Sequence, residues 1–475
     1  SVASRGLGDV YKRQRKRQQR LPRVRPKVQE RYRHGECIGR RADGINCVAA
    51  AQDRMVAFPN VKLLSQLVTP ERARIAFKAS AEATSKAVML AITVAAARWL
   101  NADQFGILAF ATATGWLLTV ATDAGLSMYL AREVARRRTG CHQLLLDVVG
   151  LRTGLAFLAA TGTVLAAPDL VPGHWIVQFV VLVTAQLAGG VTETVSHYFR
   201  GIERAEIESA IQAAQRLVMV VWAMLALWIT RRLDYLAVAM LVPTLCGLLV
   251  SAVIALRMSS RDRVEGAKPE GLTIPAFFGA ALPLGAGALL SALYFRCEVY
   301  FIQHFHGFQP VGAYNAVFRL VEATRLLPAA ALAVLFPRMV QATGMQSVAQ
   351  IGGRLTAIGA ALGAVCGLAG PILVPLLYGE AYAYAWPAFS ILCGALPLFF
   401  LNYALTHQVI GWDGHRGYMT VALVALAGNI VANIALVPSM SLVGAAIGTV
   451  LTELIVTAGC GVMLWRPSAR AAAPS

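Results

Sequence analysis

The sequence predicts an all-α integral membrane protein with twelve transmembrane helices, built from two six-helix halves. Three observations carry that prediction. Of the 475 residues, 57% are hydrophobic and only 14% are charged, whereas soluble domains average roughly 25% charged. Long apolar segments recur from about Ala79 to Trp465, separated by short polar breaks. Lys and Arg alternate between connecting loops in a way that only an even number of crossings accommodates. Lipid offers no partner to backbone N–H and C=O groups, so a spanning segment must be a helix or part of a closed barrel. These segments are solidly apolar and about twice the length of a barrel strand, which leaves the helix.

The spans read as Ala79–Leu100, Gly106–Leu130, Leu144–Ala167, Trp175–Tyr198, Ala210–Ile229 and Leu236–Leu256. A charged linker follows over 257–273. The second set is Ile274–Phe301, Ala313–Phe336, Ile351–Leu377, Ala385–Ile410, Tyr418–Leu436 and Leu442–Trp465. The predicted organisation is therefore an N-terminal lobe over 79–256 and a C-terminal lobe over 274–475. Ahead of them, residues 55–78 read as an amphipathic entry segment on the membrane surface, with Leu63, Leu64, Leu67 and Ile75.

The net charge of +18 is concentrated at the N-terminus. Residues 1–78 hold 19 Lys and Arg against 6 Asp and Glu, and the rest of the chain holds 24 against 19. An Arg-rich arm can bind nucleic acid, but Gly6–Gln14 reads as translated adapter sequence and the first methionine is Met55. Residues 1–54 are expected to be a non-native or disordered basic extension and Met55 the start; no nucleic-acid partner is expected.

Counting Lys and Arg in short loops predicts orientation. With both ends cytoplasmic, the internal loops and tail carry fifteen, among them Arg132, Arg136, Arg137, Arg138, Arg257 and Arg416. The external loops carry Arg231 and Arg232. The longest external loops, near Pro168–His174 and His304–Pro310, leave no room for a catalytic domain. The cysteines form no C-x-x-C pair or zinc spacing, and His304-Phe-His306 has no nearby carboxylate or Cys. No Gly-rich loop ending in Lys-Ser/Thr is present. The chain is expected to be neither an enzyme nor a cofactor protein.

A faint internal repeat joins the halves. Gln104-Phe-Gly-Ile-Leu-Ala-Phe-Ala111 and Pro310-Val-Gly-Ala-Tyr-Asn-Ala-Val317 share a pattern in which Gly106 and Gly312 correspond, 206 residues apart. Further patterns lie at Asp123-Ala-Gly-Leu126, Tyr198-Phe-Arg-Gly-Ile-Glu-Arg204, Arg296-Cys-Glu298 and Val311-Gly-Ala-Tyr314. Arg319-Leu-Val-Glu322, Leu335-Phe-Pro-Arg338, Leu377-Tyr-Gly-Glu380 and Val443–Gly448 with Glu453 complete the set. In order and spacing, the body from about Ser80 to Trp465 resembles the polysaccharide flippase branch of the multidrug/oligosaccharidyl-lipid/polysaccharide (MOP) exporter superfamily. Glu298 stands where that family usually has Asp.

The resemblance implies a MATE-like fold, two six-helix bundles around a central cavity opening alternately to either side. It implies flipping of a polyprenyl-pyrophosphate-linked oligosaccharide across a bacterial inner membrane for capsule, exopolysaccharide or O-antigen synthesis. Expected partners are that lipid-linked substrate, membrane lipid, H+ or Na+ as coupling ion, and the pathway's glycan polymerase and glycosyltransferases. The alternative is an ion-coupled multidrug or small-molecule antiporter of the same superfamily; a membrane glycan ligase or polymerase would need the large loop this chain lacks.

Charges within spans are costly and usually face a cavity or a partner. Lys86, Arg98, Asp147, Arg152, Glu193, Arg216, Arg296, Glu298, Arg319, Glu322, Arg325 and Glu453 all fall inside predicted spans. Forked guanidinium donors match phosphate oxygens. The candidate substrate-binding residues are therefore Arg152, Arg296, Arg216, Lys86, Arg319 and Arg325, with Arg152 and Arg296 expected to share the cavity. Glu298, Glu322 and Glu453 are the candidate coupling groups or charge partners; Arg319, Glu322 and Arg325 can also pair along one helix face.

Overall fold

The computed structural model describes residue 84 and residues 87–137, 139–261, 271–272, 277, 282–341, 345–412 and 414–465. Lys86, the extension and entry segments and most of the linker lie outside the described residues. Described segments are helical throughout, with no strand among them. Among the described residues, seven helices are long and apolar enough to cross a membrane, or eight if one bent pair counts as a span.

The N-terminal half begins with α1 (Ala87–Trp99) and α2 (Ala102–Asp123), whose first turn is capped by Asn101 accepting from the Gln104 N–H. At Ala124 and Gly125 φ turns positive, so the predicted second span breaks. It resumes as α3 (Leu126–Arg137), where Glu133 bridges Arg136 and Arg137. Then come α4 (His142–Leu170), α5 (Ile176–Gly201), α6 (Ala205–Thr230) and α7 (Leu233–Arg261). The last carries the helix into what reads as linker.

The C-terminal half repeats the broken pattern. Its first predicted span is α8 (Leu282–Arg296) and α9 (Glu298–His306), parted at Cys297. Its second is α10 (Phe308–Thr324) and α11 (Leu326–Gln341), parted at Arg325. After α12 (Met345–Tyr378), the pair α13 (Trp386–Gly394) and α14 (Leu396–Gly411) is bent by 42°. The last two predicted spans are one helical run, α15 (His415–Trp465), folded at Ser441 with φ 48 and ψ −124. This fold is a tight hairpin: Asn429 donates across to Thr452 at 2.8 Å, and a Cβ on Gly444 would lie 2.5 Å from the Leu436 carbonyl oxygen.

Large apolar side chains stand outward along α4 and α12: Phe157, Leu165, Leu368 and Ile372 are each more than 70% exposed. In water such a surface would be costly; in hydrocarbon it is the expected one.

The halves meet along α2, against α10 and α8. The repeat-related glycines form the contact. A Cβ on Gly106 would sit 2.1 Å from the Phe308 carbonyl oxygen, and one on Gly312 would sit 2.8 Å from the Phe105 ring and 3.1 Å from the Gly106 nitrogen. Small residues let backbones approach closely where no hydrophobic effect drives helices together. Phe110 packs edge-on against Tyr300 and Phe308, and the Tyr300 hydroxyl donates to Thr114 at 3.0 Å. At the same end, Arg98 donates to the Leu376 and Leu377 carbonyls that close α12. The seam is thus tight at the His304–Pro310 end of the bundle.

Candidate substrate cavity

Toward the opposite end, where the Arg-rich loops lie, a cavity of about 490 Å³ opens in the C-terminal half, against α2. Trp116 and Val120 of α2 form one wall. The rest comes from α8, the α10–α11 break, α14 and both arms of α15, including Phe295, Arg325, Phe399, Tyr403, Tyr418 and Glu453. Its size falls in the ~300–1,000 Å³ range of ligand pockets.

Arg325 occupies the break between α10 and α11, which frees it from a helix face and turns it to the cavity. Its guanidinium carbon lies 4.3 Å from the Phe295 ring centre and 5.8 Å from that of Phe399, so cation–π attraction holds its plane. One turn earlier, Glu322 also lines the cavity. It accepts from Arg319 at 2.9 Å and from Arg296 at 3.1 Å. Arg296 lies behind this wall, 4% exposed, bonded to Asn315 at 3.3 Å and 4.6 Å from the Phe318 ring centre. Arg216 approaches from α6 of the other half, touching Met89 of α1 and interacting electrostatically with Glu193 and with Arg319. The structure therefore brings Arg216, Arg296, Arg319, Glu322 and Arg325 into one neighbourhood.

Arg152 is elsewhere. It is 1% exposed inside the N-terminal half. Its guanidinium donates to the Thr119 carbonyl at 2.8 Å and to the Thr122 hydroxyl, and lies where a Cβ on Gly190 would be. Its Nε has no partner among the described residues. It ties α4 to α2 and α5, and does not line the cavity that Glu322 and Arg325 line. Sequence depth does not distinguish it from Arg296; the direction in which each helix turns its side chain does. Asp147 and Glu193 are likewise bonded away from the cavity: Asp147 accepts from Gln143 and from the Leu272 N–H of the linker, and Glu193 from Arg200 at 2.8 Å.

Glu298 and Glu453 are both buried, but differently. Glu298 accepts from Tyr314 at 3.3 Å and Thr449 at 3.4 Å through Oε1, and its Oε2 has no partner among the described residues. The neighbouring Cys297 donates to a second polar group, in which Asn429 donates to Thr452 and accepts from Asn433, and Asn433 Oδ1 is also unpartnered. Glu453 opens on the cavity and accepts from Asn402 at 2.7 Å. Among the described residues no group of three or more His, Cys, Asp or Glu could hold a metal ion; the open oxygen of Glu298, with the Tyr314 and Thr449 hydroxyls on the other, suits a proton or a small hard cation. His306 is bonded to the Val437 carbonyl at 2.8 Å. Sequence reasoning missed the neutral partners: Asn402, Tyr314, Thr449 and Asn429 resemble the many other polar residues in apolar helices. The Asn429-x-x-x-Asn433 spacing, one helix turn, was the available signal. Arg200, part of the Tyr198–Arg204 pattern, bridges Glu208 and Glu193 and closes the α5–α6 turn, a pairing the pattern does not reveal.

The sequence profile of the polysaccharide biosynthesis protein family matches residues 75–343, more than half of the chain. The chain belongs to that family. No curated protein matches it in sequence. Among solved structures, an inward-facing multidrug resistance MATE family transporter of the MOP superfamily superposes with a TM-score of 0.60 at 14% identity, over 80% of this chain and 94% of the other. The lipid II flippase MurJ in an inward closed conformation gives 0.57 at 11%, over 82% and 88%. A MOP superfamily transporter from Pyrococcus furiosus, described as having a binding pocket of reverse polarity, gives 0.52 at 15%, over 86% and 99%. At these identities the likeness is one of fold, and it is the MATE-like fold the sequence predicts. The fold is one that membrane transporters and a lipid flippase share.

Proposed function

We propose that this polysaccharide biosynthesis protein flips a polyprenyl-pyrophosphate-linked oligosaccharide from the cytoplasmic to the external leaflet of a bacterial inner membrane, feeding capsule, exopolysaccharide or O-antigen assembly. The observation that carries the reading is the run of guanidinium groups where the halves face one another. Arg296 and Arg319 share the carboxylate Glu322, Arg325 lines the same cavity as that carboxylate, and Arg216 of the other half interacts electrostatically with Arg319. A diphosphate entering between them would meet forked donors in a low-dielectric setting, where charge-assisted bonds are strongest. The predicted topology, twelve crossings with both ends cytoplasmic, puts the hollow end inside and the glycine seam outside, an inward-open form ready to load.

Arg319→Gln and Arg325→Gln should insert at normal abundance yet lose most export in a flippase-null host, measured as surface polysaccharide per unit membrane protein. Lys at either position should restore part of it, because a point charge lacks the fork. Normal export by both Gln variants would overturn the reading. Glu453 and the partly exposed Glu322 favour the multidrug-antiporter alternative, since carboxylates attract organic cations; the surplus of Arg favours an anion.

Coupling is assigned to Glu298, whose unpartnered oxygen can take a proton or Na+. Glu298→Gln in proteoliposomes should keep substrate binding and abolish the response of transport to an imposed H+ or Na+ gradient. An unchanged response would place coupling elsewhere.

A further inference from the structure

On the outer side of the N-terminal half, away from the substrate cavity, α6 and α7 part around a groove of about 440 Å³. Ala210, Ala214, Val218 and Trp222 of α6 line it, with Pro243 and Val250 of α7. A Cβ on Gly247 would lie 2.5 Å from Gln215 Oε1, so the one amide in the wall is pressed onto the α7 backbone. The surface left open is apolar. The groove is also one leaflet deep. From Ala210 to Trp222 it runs ~18 Å at ~1.5 Å per residue, a little over half of the ~30 Å hydrocarbon core. It opens at the first residue of the predicted span Ala210–Ile229, on the side predicted to be cytoplasmic, and ends just past the middle of that span.

Two arginines stand over its mouth. On α7, Pro243, Cys246, Val250, Val253 and Arg257 recur at spacings of three and four, so they share one helix face, which Arg261 continues by a turn. Both arginines are exposed, and neither guanidinium has a hydrogen bond or ion pair among the described residues. Arg257 directly follows Leu256, the last residue of its predicted span, which is the level of lipid phosphates. We propose that this groove seats an acyl chain of an anionic phospholipid from the cytoplasmic leaflet, with Arg257 and Arg261 on its phosphate. An apolar slot alone accepts any chain. The unpaired guanidinium forks select an acidic headgroup, and the cytoplasmic leaflet is the one that carries acidic lipid. The depth selects a chain that ends within one leaflet, which a long polyprenyl chain would overrun. Once seated, the chain supplies the packing that α6 and α7 lack along this stretch. The site does not depend on what the chain transports.

The test uses the full chain in nanodiscs of mixed phosphatidylcholine and phosphatidylglycerol, with bromine on the acyl chains of one lipid at a time. Bromine quenches indole fluorescence on contact, and Trp222 stands at the inner end of the groove, 42% exposed. Its emission is the difference between the wild type and Trp222→Phe. At equal bromine content, brominated phosphatidylglycerol should quench Trp222 several-fold more than brominated phosphatidylcholine. Arg257→Gln with Arg261→Gln should bring the two lipids level. Ala214→Phe, which fills the groove, should also abolish the excess. All three substituted positions are exposed, so the variants keep the fold. Equal quenching by both lipids in the wild type, or an excess that survives the double Gln variant, overturns the site. Unbrominated phosphatidylglycerol should remove the excess by competition. If a polyprenyl phosphate removes it at a lower membrane fraction, the groove takes a polyprenyl chain and the phospholipid assignment falls.

Discussion

Gly106→Val should disable the protein while leaving it inserted in the membrane. The Cβ alone would fall 2.1 Å from the Phe308 carbonyl oxygen and 2.5 Å from its carbon, and backbone cannot rotate away as a side chain can. Overpacking typically costs ~1–3 kcal/mol, and a clash with main chain belongs at or above the top of that range. Relief requires α2 and α10 to separate, which opens the seam that Arg98, Phe110 and Tyr300 also close. The expected result is a lowered unfolding temperature in detergent and near-complete loss of export. Gly154→Val is the control, because nothing lies within 4 Å of a Cβ there. Equal behaviour of the two variants would show that the close approach at the glycines is not a constraint.

Glu322→Ala should be the most destabilising single change at the cavity. It strips the carboxylate from Arg296, whose side chain is 5% exposed, and from Arg319. Breaking a buried pair from one side costs about 3–5 kcal/mol; the low end applies because Glu322 itself is 30% exposed. The double variant Arg296→Met with Glu322→Leu removes both charges of the buried pair and should recover most of the stability, since apolar replacement of such pairs is often neutral. It should not recover export, because the Glu322 carboxylate at the cavity wall and the Arg296 guanidinium behind it are gone. Recovery of both would make this pair a scaffold without a role in transport; recovery of neither would mean the pair specifies local packing.

Read from its residues alone, the chain determines its solvent and its helices. Runs of apolar residues with no partner for the backbone leave helix formation as the solution, and hydropathy reports length well because every residue of a run contributes. The repeat was legible too. Gly106 and Gly312, matched by pattern, turn out to face each other, since a close approach of two backbones tolerates no larger side chain. Only the tertiary structure decided where those helices break and which charges meet. The break at Ser441 falls between the last two predicted spans, but those at Ala124–Gly125, Cys297 and Arg325 fall inside predicted spans, where averaged hydropathy stays high across a single charge or glycine. Arg152 and Arg296 look alike in sequence, each a lone cation in an apolar span, yet one is bonded to threonines and a carbonyl within its half and the other to the glutamate that lines the cavity. Rotation about each helix axis, and the neighbour that packing brings to that face, separates them; both depend on residues far apart in the chain, which no local pattern encodes.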